Sequence, residues 1–218
     1  MFTIAIDGPS GSGKSTAAKM TARVLGWEYL DTGAMYRAVA VGCMAAGIED
    51  PESIADYCRR MDLEISTDPE DQYVRLGGRD VTSAIRSPGV SAWVSTVSTN
   101  PQCRTELVRR QQEIIASGAF VAEGRDITTV VVPEAQVRVL LTADPQARMS
   151  RRGAELGGKL SEADLRDQVL RRDKDDSTLV DFTVAADGVA TIDSTFLTPE
   201  EVVAQILILA ERAGIEIP

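Results

Sequence analysis

The fold is decided by residues 2–16, which read FTIAIDGPSGSGKST. Residues 2–6 form a short, almost continuous apolar run, which predicts a buried β-strand. Three glycines follow within six positions, and the segment from Lys14 to Leu25 has a composition compatible with a helix that Gly26 would end. This stretch therefore predicts a strand, a glycine-rich loop and a helix, in that order.

Residues 8–15 match the P-loop pattern Gly-x4-Gly-Lys-Ser/Thr, at the strand-to-helix position that the motif requires. In such a loop successive N–H groups converge on a phosphate chain, and Lys14 would neutralise its β and γ oxygens as a catalytic residue. The Ser15 hydroxyl would hold Mg²⁺. The alternative to phosphate binding is that residues 8–15 form a glycine loop with a purely structural role. The predicted nucleotide-binding residues are Gly8, Pro9, Ser10, Gly11, Ser12, Gly13, Lys14, Ser15 and Thr16.

Strands and helices alternate along the rest of the chain. Short apolar strands are predicted over 120–123, 137–142 and 189–193, each after a helix, which is typical of a parallel sheet with crossover helices. We therefore predict an α/β, three-layer P-loop NTPase fold. A capping residue followed by proline marks four helix starts: Asp50-Pro51, Asn100-Pro101, Asp144-Pro145 and Thr198-Pro199. Glycines mark three further helix ends: Gly47, Gly118 and Gly214.

The pattern changes between residues 62 and 81, where short apolar segments alternate with the turn residues Asp68-Pro69 and Gly77-Gly78. This predicts a small antiparallel meander inserted into the parallel fold. A glycine-rich segment over 153–159 is a second insertion. The predicted organisation is a single P-loop chain with a core of about 1–60, 117–152 and 165–218 and with two insertions, of about 61–116 and about 153–164.

Charge and composition exclude several classes of function. The 218 residues carry 33 acidic and 23 basic side chains, a net charge of −10, which argues against nucleic-acid polymers and anionic membranes as partners. The chain has no histidine, so nucleophilic catalysis that depends on imidazole is excluded. Three widely spaced cysteines predict buried thiols, and no apolar stretch is long enough for a membrane helix. We expect a soluble, cytoplasmic monomer.

A P-loop by itself does not name a function, but further observations narrow the choice. Asn100, the only asparagine, is followed by proline, which excludes the base-reading Asn-Lys-x-Asp motif of GTPases, and no Leu-Ser-Gly-Gly signature of transport ATPases occurs. A chain without histidine suits phosphoryl transfer to an acceptor that is itself a phosphate, because a phosphate dianion needs no general base.

Several blocks of sequence resemble the bacterial cytidylate kinases (CMP/dCMP kinases): residues 6–15, 30–37, 123–127, 171–173, 176–177 and 192–194. The resemblance runs from Phe2 to about Leu209. It implies an ATP-dependent transfer, with Mg²⁺, of a phosphoryl group to CMP or dCMP. It also implies that the insertion of about 61–116, with its antiparallel meander, binds the monophosphate, and that the insertion of about 153–164 is a lid that closes over ATP.

Site residues follow from the same resemblance. It implies that Thr32 and Asp176 contact the ribose. Arg37, Arg125 and Arg172 would bind the acceptor phosphate, and Ser95, Arg104 and Asp126 would contact the cytosine ring. The cluster Arg148, Arg151 and Arg152 lies at the base of the lid, and the residues expected in catalysis are Lys14, Arg125, Arg148, Arg152 and Arg172.

The sequence departs from the family pattern at Leu179, where an arginine is common. Three alternatives stay open at this point. In the first, the chain is a P-loop kinase whose acceptor is UMP, another nucleoside monophosphate or another small molecule. In the second, it is a non-catalytic ATP-binding module. In the third, the arginine cluster over 148–152 is a solvated helix face, since its spacing is that of one helix side.

Overall fold

The computed structural model describes residues 2–155 and 184–218. Its centre is a five-stranded parallel sheet in the order β2-β6-β1-β7-β8. The strands are β1 (Thr3–Asp7), β2 (Glu28–Asp31), β6 (Phe120–Gly124), β7 (Val137–Thr142) and β8 (Ala190–Asp193). The strand predictions for β1, β6, β7 and β8 are confirmed, whereas the short β2 was not predicted.

The sheet has an apolar layer on each face, because side chains alternate along a strand. Ile4 and Ile6 of β1 pack in one buried cluster with Ala18 and Ile206. Ala5, between them, belongs to a second cluster on the opposite face. This second cluster continues through Leu30, Val39, Leu107 and Phe120. The three-layer α/β prediction is therefore confirmed.

Seven α-helices are described in residues 2–155 and 184–218: α1 (Lys14–Leu25), α2 (Thr32–Ala46), α3 (Pro51–Arg60), α4 (Pro88–Ser98), α5 (Pro101–Ile115), α6 (Pro145–Glu155) and α7 (Pro199–Arg212). The four predicted proline-marked starts are confirmed, and a fifth occurs at Ser87-Pro88. Gly26 and Gly47 cap α1 and α2 as predicted. Gly118 and Gly214 lie beyond the caps, which are Ala116 and Ala213.

The predicted meander is a three-stranded antiparallel sheet of β3 (Leu63–Ile65), β4 (Val74–Leu76) and β5 (Arg79–Asp80). Val74 and Ile85 pack with Ala34 and Ala38 of α2 in a third apolar cluster, which fixes the meander against the parallel core. The connection from β5 to α4 contains a short 3-10 turn over Ala84–Arg86. The insertion therefore brings this turn next to α2.

The carboxyl ends of the central strands lie side by side. In the parallel register Asp7 pairs with Gly124, and Asp31 pairs with Glu123. Ligands of open parallel sheets bind outside these strand ends. The register therefore places the P-loop, the start of α2 and residues 123–126 around one cleft.

Candidate active site

The loop between β1 and α1 is shaped by its glycines. Gly13 caps α1 with a φ of 90°, and Gly11 has a φ of 76°. A Cβ atom on Gly11 would lie 2.5 Å from the carbonyl oxygen of Arg148, and one on Gly8 would lie 2.2 Å from the carbonyl oxygen of Leu141. The loop thus packs its backbone directly on β7 and α6 and presents a helix N-terminus to the cleft, which is an anion-binding arrangement.

A buried carboxylate, Glu123, organises the floor of the cleft beneath this loop. Lys14 Nζ lies 3.8 Å from Glu123 Oε2, and the Ser15 hydroxyl donates to Glu123 Oε1 at 2.6 Å. The Tyr29 hydroxyl also donates to Oε1, at 3.3 Å. Burial raises the pKa of Glu123, although the charge of Lys14 opposes the shift. Glu123 was not among the predicted site residues; its position at the end of β6, beside the P-loop strand, is the signal that could have found it.

The oxygens at this floor suit a magnesium ion. Mg²⁺ is commonly held by one or two carboxylates or a hydroxyl together with substrate phosphates, and here the Ser15 hydroxyl and the Glu123 carboxylate lie next to the loop. Within residues 2–155 and 184–218 no group of three or more cysteine, aspartate and glutamate side chains forms a protein-only metal cage.

Arginines supply the charge on the far side of the cleft. Arg37 of α2 is buried, and its Nη1 donates to the carbonyl oxygen of Ile85 and to the Ser91 hydroxyl, both at 3.0 Å. Arg86, which sequence reasoning missed, lies in the 3-10 turn and pairs with Asp31 at 2.6 Å. Burial acts to raise the pKa of Asp31, but the neighbouring Arg86 outweighs it, and the pKa lies below its usual value.

The deep end of the cleft holds a second ion pair. Arg104 of α5 pairs with Asp126, which follows β6, at 2.5 Å. Val94 and Ser98, one turn apart on α4, line the same end. Ser95 lies elsewhere: it is rotated by about 100° from Val94 around the helix and lines a separate depression near Pro51. The structure thus brings Arg104 and Asp126 together, adds Ser98, and does not bring Ser95 to the cleft.

Asp7 anchors the segment that carries Arg125 and Asp126. Its carboxylate accepts hydrogen bonds from the N–H groups of Ile127 and Thr128 and from the Thr128 hydroxyl, at 2.6–2.9 Å. Burial raises the pKa of Asp7 to about 6, in spite of these bonds. Arg125 in turn donates to the carbonyl oxygen of Gly8 at 3.1 Å. The last residue of β1 therefore connects the P-loop to the arginine and aspartate of the deep end.

Helix α6 brings three arginines to the P-loop side. Arg148 is buried and donates to the carbonyl oxygen of Ser10 at 3.2 Å, while Arg152 lines the cleft. Arg151 instead contacts Ser194, donating to its hydroxyl at 2.9 Å and to its carbonyl oxygen at 2.6 Å. Their spacing predicted one helix side, and the structure packs that side on the protein. The solvated-face alternative therefore does not hold for Arg148 and Arg151.

These groups surround a cavity of about 480 Å³ that runs from the P-loop to the Arg104–Asp126 pair. Thr32 lines its middle and donates to the carbonyl oxygen of Glu123 at 2.8 Å. Arg172, Asp176 and Leu179 lie outside the described residues, as does most of the predicted lid, 156–164. No helix in the described ranges is long and apolar enough to cross a membrane. All three cysteines are buried free thiols, as predicted.

The family model and the curated relatives that match this sequence carry the same description. The family model described as cytidylate kinase matches residues 4–212. A cytidylate kinase from Cutibacterium acnes is 48% identical over 210 residues, which cover 94% of each chain. One from Carboxydothermus hydrogenoformans is 44% identical over 215 residues, covering 96% of this chain and 97% of the relative.

Solved structures with a similar backbone are more distant in sequence. A gluconokinase from Sinorhizobium meliloti superposes with a TM-score of 0.52 at 14% identity, covering 98% of this chain and 94% of that one. An uncharacterised protein from Eubacterium ventriosum gives a TM-score of 0.53 at 12% identity, covering 97% and 99%. At these identities the likeness concerns the fold alone.

Proposed function

The chain belongs to the cytidylate kinase family, and from this premise we propose that it transfers the γ-phosphoryl group of ATP to CMP or dCMP, giving ADP and CDP or dCDP. One observation supports this more than any other. A single cleft connects Lys14 of the P-loop to the Arg104–Asp126 pair, so a phosphoryl donor and an acceptor nucleotide fit end to end.

The donor end is built for a triphosphate. The N–H groups at the start of α1 and the Lys14 ammonium would bind the β- and γ-phosphates, and Arg148 and Arg152 would add positive charge near the transferring group. Ser15, with Glu123 beside it, would hold Mg²⁺, which supplies charge neutralisation at the phosphates.

The acceptor end is built for a nucleoside monophosphate. Arg37, Arg125 and Arg172 would bind its phosphate, because guanidinium groups match phosphate oxygens in bidentate geometry. Thr32 and Asp176 would contact the ribose. The geometry of Arg37 supports this role. Its side chain, which extends from α2, is buried, and hydrogen bonds to Ile85 of the 3-10 turn and to Ser91 of α4 hold it in one orientation.

Base selection would rest on Arg104 and Asp126. Asp126 can accept a hydrogen bond from the exocyclic amine of cytosine, whereas uracil has a carbonyl at that place and would leave the carboxylate unpaired. Ser95, which the resemblance assigns to the base, lines a separate depression, and Ser98 lies on the cleft side of α4 in its place.

Catalysis would need positioning and charge rather than a base. The acceptor phosphate is already a nucleophile, so no proton has to be removed before it attacks the γ-phosphorus in line with the leaving ADP. The described part of the cleft contributes Lys14 and several arginines, which match the negative charge of this reaction.

We also propose that the enzyme works as a monomer in the cytoplasm. The three buried thiols are compatible with a reducing compartment. Gel filtration of the purified protein tests the oligomeric state.

A coupled assay with ATP and a panel of acceptors tests the activity. CMP and dCMP are expected to exceed AMP and shikimate by orders of magnitude in kcat/KM and to exceed UMP clearly, and chelation of Mg²⁺ should abolish turnover. If AMP or UMP is the best acceptor, the cytidylate assignment fails while the kinase fold stands. ATP binding without turnover of any acceptor would support a binding module instead.

A further inference from the structure

One oxygen of the Glu123 carboxylate, at the floor of the cleft, accepts two hydrogen bonds. The Ser15 hydroxyl donates to Oε1 at 2.6 Å, and the Tyr29 hydroxyl donates to the same atom at 3.3 Å. The other oxygen, Oε2, lies 3.8 Å from Lys14 Nζ. A carboxylate oxygen offers two lone pairs, so the two hydroxyls occupy Oε1. Together they fix the rotation of the Glu123 carboxylate.

The fold holds Tyr29 in place for this contact. Tyr29 of β2 pairs with Val121 of β6, two residues before Glu123, so Tyr29 and Glu123 extend from the same face of the sheet. The Tyr29 side chain is fully buried and packs in the apolar cluster on that face. Lys19 of α1, which lines the cleft, has its Nζ 5.4 Å from the centroid of the Tyr29 ring. The ring is therefore fixed by packing, with its hydroxyl directed at Glu123.

The bond between Ser15 and Glu123 determines what the serine hydroxyl can offer. A hydroxyl has one proton and two lone pairs, and Ser15 gives its proton to Oε1 of Glu123. Its lone pairs then remain for a cation, which is the role that the proposed function gives to Ser15. If the carboxylate turned away, the serine proton would lose its acceptor. An oriented Glu123 therefore prepares both of the groups that would hold the metal.

We propose that Tyr29 is a positioning residue for the complex of metal and nucleotide: its hydroxyl keeps Glu123, and through it Ser15, in the orientation that holds Mg²⁺. This inference rests on the proposed function, which assigns Mg²⁺ to these two residues. Because Tyr29 is fully buried, it acts through Glu123 and not by touching the metal. Outer partners that orient a metal ligand typically contribute about 10–100-fold to metal affinity.

Removal of the hydroxyl alone separates this role from a structural one. Tyr29→Phe keeps the ring in its apolar surroundings, and Oε1 of Glu123 still accepts from Ser15, so the variant should fold. A structural role would change Tm and leave the metal unaffected. The matched control is Tyr73→Phe, because the Tyr73 hydroxyl also donates to a glutamate, Glu64, at 2.8 Å, but on the exposed surface of the meander.

The experiment measures the dissociation constant of a non-hydrolysable ATP analogue, with a methylene group between its β and γ phosphorus atoms. Calorimetry is carried out with Mn²⁺, which takes the same oxygen ligands as Mg²⁺, and without metal. The ratio of the two constants is the metal contribution to nucleotide binding. In Tyr29→Phe this contribution should fall about tenfold, while the metal-free constant stays within about twofold of the wild type.

Two further variants and one kinetic measurement complete the test. Glu123→Gln should lose at least as much of the metal contribution as Tyr29→Phe, because an amide carries no charge for the cation. Tyr73→Phe should match the wild type with and without Mn²⁺. In steady-state assays the Mg²⁺ concentration for half-maximal turnover should rise in Tyr29→Phe, and added Mg²⁺ should restore turnover.

An unchanged metal contribution in Tyr29→Phe overturns the proposal, as does an equal loss with and without metal. So does a wild-type protein whose affinity for the analogue does not depend on Mn²⁺. If Tyr29→Phe does not fold, a crystal structure of the wild type with the analogue and Mn²⁺ decides. The Tyr29 hydroxyl must then remain bonded to Glu123 while Glu123 and Ser15 hold the metal, directly or through water.

The binding measurements involve no acceptor, so they are separate from the test of the proposed function. A wild-type enzyme that does not phosphorylate CMP overturns the proposed function, and the binding data still decide on Tyr29. Turnover of CMP together with an unchanged metal contribution in Tyr29→Phe overturns the role of Tyr29 alone.

Discussion

The two ends of the cleft are built in different ways. The proposed donor end is built around one continuous segment, residues 8–16, which presents mainly backbone N–H groups at the start of α1. The acceptor end is made of side chains from α2, the 3-10 turn, α4, α5 and the segment after β6. A backbone site tolerates changes of side chain, but a side-chain site depends on each residue and on the packing that carries it.

The largest effect on turnover is expected from removing Lys14, which is the one charged side chain within residues 8–16. Lys14→Ala should fold normally and lose at least about 100-fold in kcat, because a preorganised cation at the transferring phosphoryl group is removed. Steady-state kinetics together with thermal unfolding checks this. A folded Lys14→Ala enzyme with wild-type turnover would show that backbone groups alone suffice at the donor end.

The connection between the two ends should respond to pH through Asp7. Its folded pKa of about 6 lies above the ordinary value of 3.8, so its contribution to stability is fully present below pH 4 and is lost as the pH rises through 6. The difference of about two pK units corresponds to about 2–3 kcal/mol.

Urea unfolding between pH 4 and pH 7 measures this loss. Asp7→Asn removes the titrating group, so its free energy of unfolding should fall less over this range than that of the wild type, although it is lower at the acidic end because an amide cannot accept all three hydrogen bonds. Parallel pH profiles for the two proteins would contradict the raised pKa.

Removing an acceptor-side cation should separate the two ends kinetically. Arg125→Met should lower kcat/KM for CMP at least about 30-fold, because a desolvated phosphate loses a bidentate partner worth roughly 2–5 kcal/mol. KM for ATP should change little, since the loop N–H groups remain. The control is Arg109→Met, which removes an exposed arginine that pairs with Glu106 and Glu113 on α5. Equal losses for CMP and ATP would show that Arg125 acts through its bond to Gly8.

The smallest effect is expected on the outer side of the donor end. Arg151→Ala removes the contacts with Ser194, but the Ser194 hydroxyl still donates to the carbonyl oxygen of Ser12 at 2.8 Å. KM for ATP should therefore rise only about threefold, with KM for CMP unchanged. A loss as large as that of Lys14→Ala would place Arg151 among the catalytic groups.

The same difference explains what the sequence could predict. The donor loop was predicted residue by residue because its geometry is local: the glycines, Lys14 and Ser15 are neighbours in sequence. Proline-marked helix starts were predicted for the same reason. The meander was recognised from its turns, and the short strand β2, which has only four residues, gave too weak a pattern.

The acceptor end required the register of distant elements. Glu123 reaches the P-loop because β6 lies beside β1, and Arg86 reaches Asp31 because the insertion packs on α2. Neither relation can be derived from local pattern. Ser95 and Ser98 are three residues apart on α4, so their directions around the helix differ by about 60°. Only the packing of that helix decides which of them faces the cleft.

The central position of β1 has a consequence for biosynthesis. Thr3 pairs with Phe120, and Ile4 pairs with Val137, so the strand that leads into the P-loop has no sheet partner until more than half of the chain has left the ribosome. Closing such long loops is slow, and unpaired apolar strands aggregate readily. During synthesis the segment FTIAI therefore stays unpaired, and the P-loop acquires its shape only after β6 and β7 have paired with β1 on either side.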